Sequence, residues 1–162
     1  MSSARKILIF GGAALAAFGM LYGLHYALFV EHQTLDGMGG SLMAAFTSGA
    51  EHDMARAHAS IGAYADTKYK YVRQVDVHSH WIGLAMLMIV LGAAFDSVAL
   101  NARMQMLIAL ALLTGSVVFP LGVMLQALTH GGVLANAFAI AGSGLVIVSL
   151  GLTIFGFARS RT

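Results

Sequence analysis

Histidine is the residue type through which this sequence could do the most specific chemistry. The chain has seven histidines and no cysteine. Imidazole is the commonest metal ligand in proteins and a usual axial ligand of haem iron. The lack of cysteine excludes disulfides, cysteine-ligated clusters and thiolate-ligated haem. The histidines are His25, His32, His52, His58, His78, His80 and His130.

The elements that must position these side chains are membrane helices. Of the 162 residues, 59% are hydrophobic and 10% are charged, whereas a soluble domain carries about 25% charged residues. Four stretches reach the roughly 20 apolar residues that a membrane helix needs. They cover about 7–30, 78–97, 104–128 and 133–157. We therefore predict an all-α, integral membrane four-helix bundle, with 1–162 as a single domain in the lipid bilayer.

Basic residues predict how the bundle is oriented. Arg5 and Lys6 precede the first membrane helix, and Arg103 lies in the turn between the second and third. Arg159 and Arg161 follow the last helix. Cytoplasmic flanks concentrate Lys and Arg, so we predict an inner-membrane protein with both termini in the cytoplasm and the segment 31–77 on the periplasmic side. These flanks also account for the pI near 9.2, and we predict no nucleic-acid partner.

The outer segment 31–77 has a pattern of its own. "DGMGGS", 36–41, is typical of a helix breaker. From about Glu51 onwards, one set of residues recurs at alternating spacings of four and three, which predicts a helix that continues into the second membrane helix. The set is Met54, His58, Ile61, Ala65, Lys68, Val72 and Val75. Trp81, just inside that membrane helix, is predicted to be an interface anchor.

Small residues on two membrane helices predict close helix packing, within this bundle or with a second subunit. The first helix has Gly12, Ala16, Gly19, Gly23 and Ala27, and the fourth has Ala137, Ala141, Gly144 and Gly151.

The predicted topology places all seven histidines on the outer half of the molecule. His25 lies inside the first helix, and an ionisable group there usually faces the bundle interior. His78 and His80 are about 200° apart on a helix, because each residue turns by about 100°, so we expect only one of them to point inwards. His25, one of this pair and His130 could supply three ligands to copper or zinc. Haem needs only one or two axial ligands and an apolar slot, and the histidines could also be solvated without a cofactor.

A family resemblance favours haem. "VHSHWIGLAMLMIVLGAAF", 77–95, resembles the start of the second membrane helix of the bacterial styrene oxide isomerases. Those small four-helix membrane proteins bind haem b, look like trimers with haem near the subunit interface, and use ferric iron as a Lewis acid to convert an epoxide to an aldehyde. The resemblance implies that His78 is the axial ligand, that the substrate is a small apolar molecule such as an aryl epoxide, and that the chain forms a homo-oligomer. "MARAHAS", 54–60, resembles the same run, which makes His58 a competing ligand.

The sequence departs from that family where the substrate would bind. The family has an Asn in helix two and a Tyr in helix three, whereas this chain has Leu84 in the first position and no tyrosine in 112–128. Our leading hypothesis is a haem b-binding membrane protein with His78 as the axial ligand and epoxide isomerisation as its activity. The alternatives are a bis-His membrane cytochrome with His25 or His130 as second ligand, a non-catalytic membrane subunit, and an outer-face copper or zinc site.

Overall fold

The computed structural model describes residues 1–159, and within that range the chain is helical without strands. Arg161, part of the predicted basic flank, lies outside the described residues. The helices are α1 (Ser3–Phe29), α2 (Glu31–Ala50), α3 (Met54–Ala94) with a 3-10 turn at Phe95–Ser97, α4 (Ala102–Thr129) and α5 (Val133–Arg159). All except α2 are long and apolar enough to cross a membrane. The predicted all-α membrane bundle is confirmed.

The start of each of three membrane helices follows from a polar residue just before it. The side chains of Ser2, Asp53 and Asn101 each accept a hydrogen bond from the backbone N–H three residues further on. Such a cap satisfies a donor that has no partner within the helix. At the other end of α4, His130 adopts a left-handed backbone conformation (φ 51°) and ends the helix.

Helix α3 is much longer than a membrane is thick. Its 41 residues extend about 60 Å at 1.5 Å per residue, and the hydrocarbon core measures about 30 Å. The prediction that one helix continues from the polar segment into the membrane is therefore confirmed. We call α2 together with residues 54–75 of α3 the hairpin, because the two helices are joined by a three-residue turn and pack against each other.

The predicted break at "DGMGGS" is wrong, because α2 continues through 36–41. Glycine in a helix costs about 1 kcal/mol relative to alanine, and packing against α3 offsets that cost. The face of α2 that is half-buried or buried contains small and flexible residues, Thr34, Met38, Ser41, Ala45 and Ser48. Small side chains at this spacing let two helices approach closely. Packing of one face of α2 therefore stabilises the helix by more than its glycines destabilise it.

The predicted glycine seam on α1 is confirmed as the contact with α3. A methyl group added at Gly12 would lie 2.9 Å from the carbonyl oxygen of Ala85, and one at Gly19 would lie 3.1 Å from Cβ of Trp81. Both distances are shorter than ordinary van der Waals contacts, so a side chain at either position would hold the two helices apart. This seam brings Gly19 and Gly23 next to the histidines of α3.

The seam predicted on the fourth membrane helix makes no contact within residues 1–159, and its use against a second subunit stays a prediction. Methyl groups added at Gly144 or Gly151 would meet nothing within 4 Å. Helix α5 packs on α4 through the neighbouring stripe instead, where Ala139 and Gly142 are buried. A methyl group on Gly115 of α4 would lie 2.8 Å from the carbonyl oxygen of Gly142. The two stripes have similar composition, and only the contact itself distinguishes them.

Trp81 lies in the core rather than at the membrane interface, so its predicted role is wrong. The side chain is 1% exposed and makes edge-to-face contacts with Phe18 and Tyr22 of α1 at 4.8 and 5.2 Å between ring centroids. Burial of a large indole ring against other aromatic rings stabilises the folded protein. Trp81 therefore fixes how α3 sits on α1 one turn below His78.

Candidate functional site

His78 is held in one orientation by the backbone of α1. Its Nδ1 lies 3.0 Å from the carbonyl oxygen of Gly19. A carbonyl oxygen only accepts hydrogen bonds, so Nδ1 carries the proton and donates, and Nε2 of the neutral ring keeps its lone pair. The ring packs on Gly23, where a methyl group would lie 2.5 Å from Nδ1. This is the tautomer and the fixed orientation that a metal-ligating histidine needs.

Beside His78 lies a cavity of about 330 Å³ between α1 and α3, at the small end of ligand pockets, which hold about 300–1,000 Å³. We call it the His78 pocket. It is lined by Gly23, Tyr26, Ala27, Glu31, Tyr71, Gln74, Val75 and His78. Because α1 and α3 run in opposite directions, Gly23 and His78 form one end of it and Glu31 and Tyr71 the other. The Tyr71 hydroxyl donates to Oε1 of Glu31 at 3.3 Å and closes that end.

Oε1 of Gln74, a side chain that lines the His78 pocket, is a buried polar atom with no hydrogen-bond partner among the described residues. The hydroxyl group of Tyr26 is also buried, and Thr34 lies beside it. Leaving a buried polar group unpaired costs about 1–3 kcal/mol. A hydrogen-bond donor at Gln74 would recover that free energy, but a ligand reaches this atom only when the surrounding side chains move, because the atom is closed off from water in this structure. The His78 pocket thus presents an imidazole ring together with the hydroxyl and amide side chains of Tyr26 and Gln74.

His80 lies on the opposite side of α3. Its Nδ1 donates to the carbonyl oxygen of Asp76 at 2.6 Å, within the same helix. The ring contacts Phe119 of α4 edge-on, with 4.6 Å between centroids. The expectation that only one of His78 and His80 could point into the bundle is wrong, because α3 is packed by α1 on one side and by α4 on the other. The His78 ring therefore lies at the contact between α3 and α1, and the His80 ring lies at the contact between α3 and α4.

The other predicted ligands lie elsewhere. His25 is exposed on α1 and its ring lies 5.4 Å from that of Phe29; the expected inward orientation is wrong because Gly19, Gly23 and Tyr26 form the face that meets α3. His58 is exposed on the hairpin.

His130 connects α4 to the hairpin. Its Nε2 donates a hydrogen bond to Oδ1 of Asp66, and its ring stacks on that of Tyr69 with 5.5 Å between the centroids. Within residues 1–159, no three side chains of His, Asp or Glu come together as a metal site. The predicted copper or zinc site from His25, His78 or His80, and His130 is therefore not formed within one chain.

An apolar groove of about 430 Å³ lies between α1 and α4, with Trp81 of α3 in its lining, and we call it the Trp81 groove. It is lined by Gly11, Ala14, Leu15, Phe18, Trp81, Leu113, Val117 and Leu121. Apart from the indole of Trp81, these side chains are hydrocarbon. Trp81 is one helical turn from His78 along α3, so the groove between α1 and α4 and the pocket between α1 and α3 are lined by neighbouring turns of α3.

Tyr26 and Gln74 are the site residues that sequence reasoning missed. Their positions could have been found from helical spacing, since Gln74 precedes His78 by four residues and Tyr26 follows Gly23 by three. Both spacings place the pair on the faces that carry His78 and Gly23.

Comparison with known proteins gives no relative from which a role could be transferred. No family model matches the chain, and no curated protein or solved structure shows significant similarity to it. A function must therefore be argued from the geometry of the His78 pocket and from the pattern of residues 77–95.

Proposed function

We propose that this protein is a multi-pass membrane protein that binds haem b with Nε2 of His78 as the axial ligand. The observation that carries the proposal is the hydrogen bond from Nδ1 of His78 to the Gly19 carbonyl oxygen. A backbone acceptor on the second ring nitrogen is what orients ligating histidines and raises their basicity. The resemblance of 77–95 to the styrene oxide isomerases points to the same residue.

The donor set fits one axial ligand. His78 is the only histidine that lines the pocket in the described chain, while His25 is exposed and His130 is paired with Asp66. This arrangement favours an iron with one protein ligand over the bis-His alternative. The pocket is too small to enclose a whole macrocycle, so haem binding in this proposal also uses surface outside it.

The proposed activity is isomerisation of a small apolar epoxide to an aldehyde. Ferric haem, when bound, supplies a Lewis acid. The chain's own contribution would be positioning by the polar side chains that line the His78 pocket, which include Tyr26 and Gln74. The Trp81 groove accommodates an apolar side group such as an aryl ring. The reaction needs no external reductant because the product is an isomer of the substrate.

The proposal includes an orientation in the inner membrane with both termini in the cytoplasm. Arg5, Lys6 and Arg103 lie at the end of the bundle opposite the hairpin, and the positive-inside tendency assigns that end to the cytoplasm. The His78 pocket then lies towards the periplasmic surface. A reporter fused to the N-terminus and one inserted in the turn at Glu51 and His52 would test the orientation.

The first test is the visible spectrum of the detergent-purified protein, oxidised and reduced. We expect an intense Soret band and a high-spin spectrum, as one histidine ligand produces. Sharp reduced α and β bands would support the bis-His alternative, and a colourless protein from haem-supplied cells would overturn haem binding. The variant His78→Ala is expected to lose most of its haem, whereas His80→Ala, the matched control two residues away, is expected to retain it.

The second test concerns the activity. The haem-loaded protein is expected to convert styrene oxide to phenylacetaldehyde without reductant or nicotinamide. Failure to turn over several aryl and alkyl epoxides at full haem loading would remove the isomerase proposal and leave haem binding intact. Copurification with a second, catalytic protein would then favour the alternative of a non-catalytic membrane subunit.

A further inference from the structure

One face of α3 has no partner along most of the helix. Eleven residues at spacings of three or four form this face, and we call them the α3 seam. They are Met54, His58, Ile61, Ala65, Lys68, Val72, Val75, Ser79, Gly83, Met86 and Val90, and all are exposed. The neighbouring stripe, which includes Ala57, Tyr64, Tyr71 and His78, is buried or half-buried against α2 and α1. The seam is therefore a surface that residues 1–159 leave free.

Lipid cannot cover the part of the seam that lies in the hairpin. Five charged residues occur in 54–75 and none in 77–95, so the hydrocarbon region begins near Val77. Yet Met54 and Ile61 are 57% and 51% exposed, far outside that region. Four of the five charges lie off the seam, at Arg56, Asp66, Lys70 and Arg73. A helix in water that has an apolar stripe on one face and charged residues on its other faces is typical of a helix that packs on another helix.

The spacing of the seam identifies the kind of partner. From Met54 to Val75 the intervals are four, three, four, three, four and three residues, which average 3.5 over three heptads. This is the period of a left-handed coiled coil, in which a and d residues face the same seam on the partner. In that register His58, Ala65 and Val72 occupy a positions.

We propose that the α3 seam is the self-association surface of this protein, on which further copies of the same chain pack as a parallel coiled coil. The membrane fixes the direction of every copy, so identical helices that meet across the seam are parallel and in register. A heptad seam is complementary to itself in that arrangement. The proposal does not depend on haem or on epoxide chemistry.

The extent of the seam matches what a stable interface requires. Its eleven positions with the flanking residues on either side amount to about 20–30 residues per partner, the number in a standard interface. Ile61, Ala65, Lys68 and Val72 line a shallow, open groove along α3, against which side chains of the partner can pack. In the membrane half, Ser79 and Gly83 allow backbones to approach closely.

Two polar residues of the seam can fix its register. His58 at an a position would meet the His58 rings of neighbouring copies, and a lone polar a residue specifies register at some cost in stability. Lys68 at a d position directs its ammonium away from the axis, with Nζ 5.9 Å from the Tyr64 ring centre. Its aliphatic part can pack in the seam while its charge stays in water.

Disulfide trapping tests the proposal, because the chain has no cysteine of its own. Ala65→Cys places a thiol on the seam, and Ala63→Cys places one on the same helix, also exposed, two residues away on the opposite face. In native membranes treated with a mild oxidant, we expect Ala65→Cys to give a band of twice the chain's mass and Ala63→Cys to give at least tenfold less. Equal cross-linking of the two variants would overturn the proposal.

The oligomer itself provides an independent measurement. Native mass spectrometry of the unmodified chain in detergent is expected to show a closed oligomer, and Ile61→Glu with Val72→Glu is expected to shift it to monomer. A monomeric unmodified chain would overturn the proposal, and a cross-link from Ala65→Cys to a protein of another mass would overturn it by showing that a different partner covers the seam. Circular dichroism of the double variant checks that its helices remain folded.

Discussion

Nδ1 of His78 donates a hydrogen bond to the carbonyl oxygen of Gly19 across the contact between α1 and α3. This bond couples the close packing of two membrane helices to the orientation of one imidazole ring. It exists because both glycines lack side chains: a methyl group at Gly19 would meet Trp81 and Ile82, and one at Gly23 would meet the His78 ring. Substitutions at the α1 seam should therefore affect the histidine as well as the packing.

Gly23→Ala is the most direct test of that coupling. The new methyl group would overlap the His78 ring, so the ring must move and the bond to Gly19 must lengthen. We expect the free energy of unfolding to fall by about 1–3 kcal/mol, as overpacking does, and the fraction of protein that retains haem to fall with it. Thermal unfolding in detergent and the ratio of Soret to protein absorbance measure the two effects.

The matched control for Gly23→Ala is Gly144→Ala. A methyl group at Gly144 meets nothing within 4 Å, so its stability and haem content should equal those of the unchanged protein. If Gly23→Ala loses stability but keeps full haem, then the orientation of His78 does not govern cofactor binding, and the proposed role of the Gly19 bond is wrong.

Removing polar groups from the side chains that line the His78 pocket should separate stability from activity. In Gln74→Leu a buried oxygen atom without a partner is replaced by an apolar group, and in Tyr26→Phe the hydroxyl group beside Thr34 is removed. Relief of the desolvation cost at Gln74 should raise the stability of the ligand-free protein by up to about 1–3 kcal/mol, Tyr26→Phe should change stability little, and kcat/KM for an epoxide should fall in both variants. Unchanged kinetics in both variants would show that the pocket does not hold the substrate. Tyr64→Phe, on the hairpin, is the control expected to change neither quantity.

The fold was predictable because membrane helices are specified by hydrophobic length. Continuity of α3 also followed from its period, since the stripe from Met54 to Val75 continues directly into the apolar run. The break at 36–41 was predicted wrongly because glycine content gives only the local cost of a helix. The compensating contact with α3 involves residues that are distant in sequence.

The site was only partly predictable, for a related reason. The spacing of His78 and His80 gave the angle between their side chains. It did not show that α3 packs against α1 on one side and against α4 on the other. The sequence therefore did not assign the two rings to separate helix contacts. His25 was expected to face inwards because ionisable groups in membranes usually do. The glycine positions of α1 decide which face meets α3, and His25 does not lie on it.

The contact between α4 and α5 should be the least tolerant part of the bundle. A methyl group at Gly142 would overlap the backbone of Phe119, which cannot yield as a side chain can. We expect Gly142→Ala to lower the free energy of unfolding by about 1–3 kcal/mol or more. Gly151→Ala, on the same helix in open space, should be neutral or slightly stabilising. Equal effects in a detergent unfolding titration would contradict the close packing of the two helices.

His25 provides a test that distinguishes a ligand from a histidine at the lipid surface. Its side chain is exposed and near Phe29, so His25→Leu removes no contact with the bundle and replaces a polar ring with an apolar group that lipid prefers. We expect full haem content, an unchanged spectrum and equal or slightly higher thermal stability. His78→Leu, with the same change in side chain, should lose haem. If His25→Leu instead converts a low-spin spectrum to a high-spin one, His25 is a second axial ligand, and a bis-His cytochrome assembled with a neighbouring copy replaces the isomerase proposal.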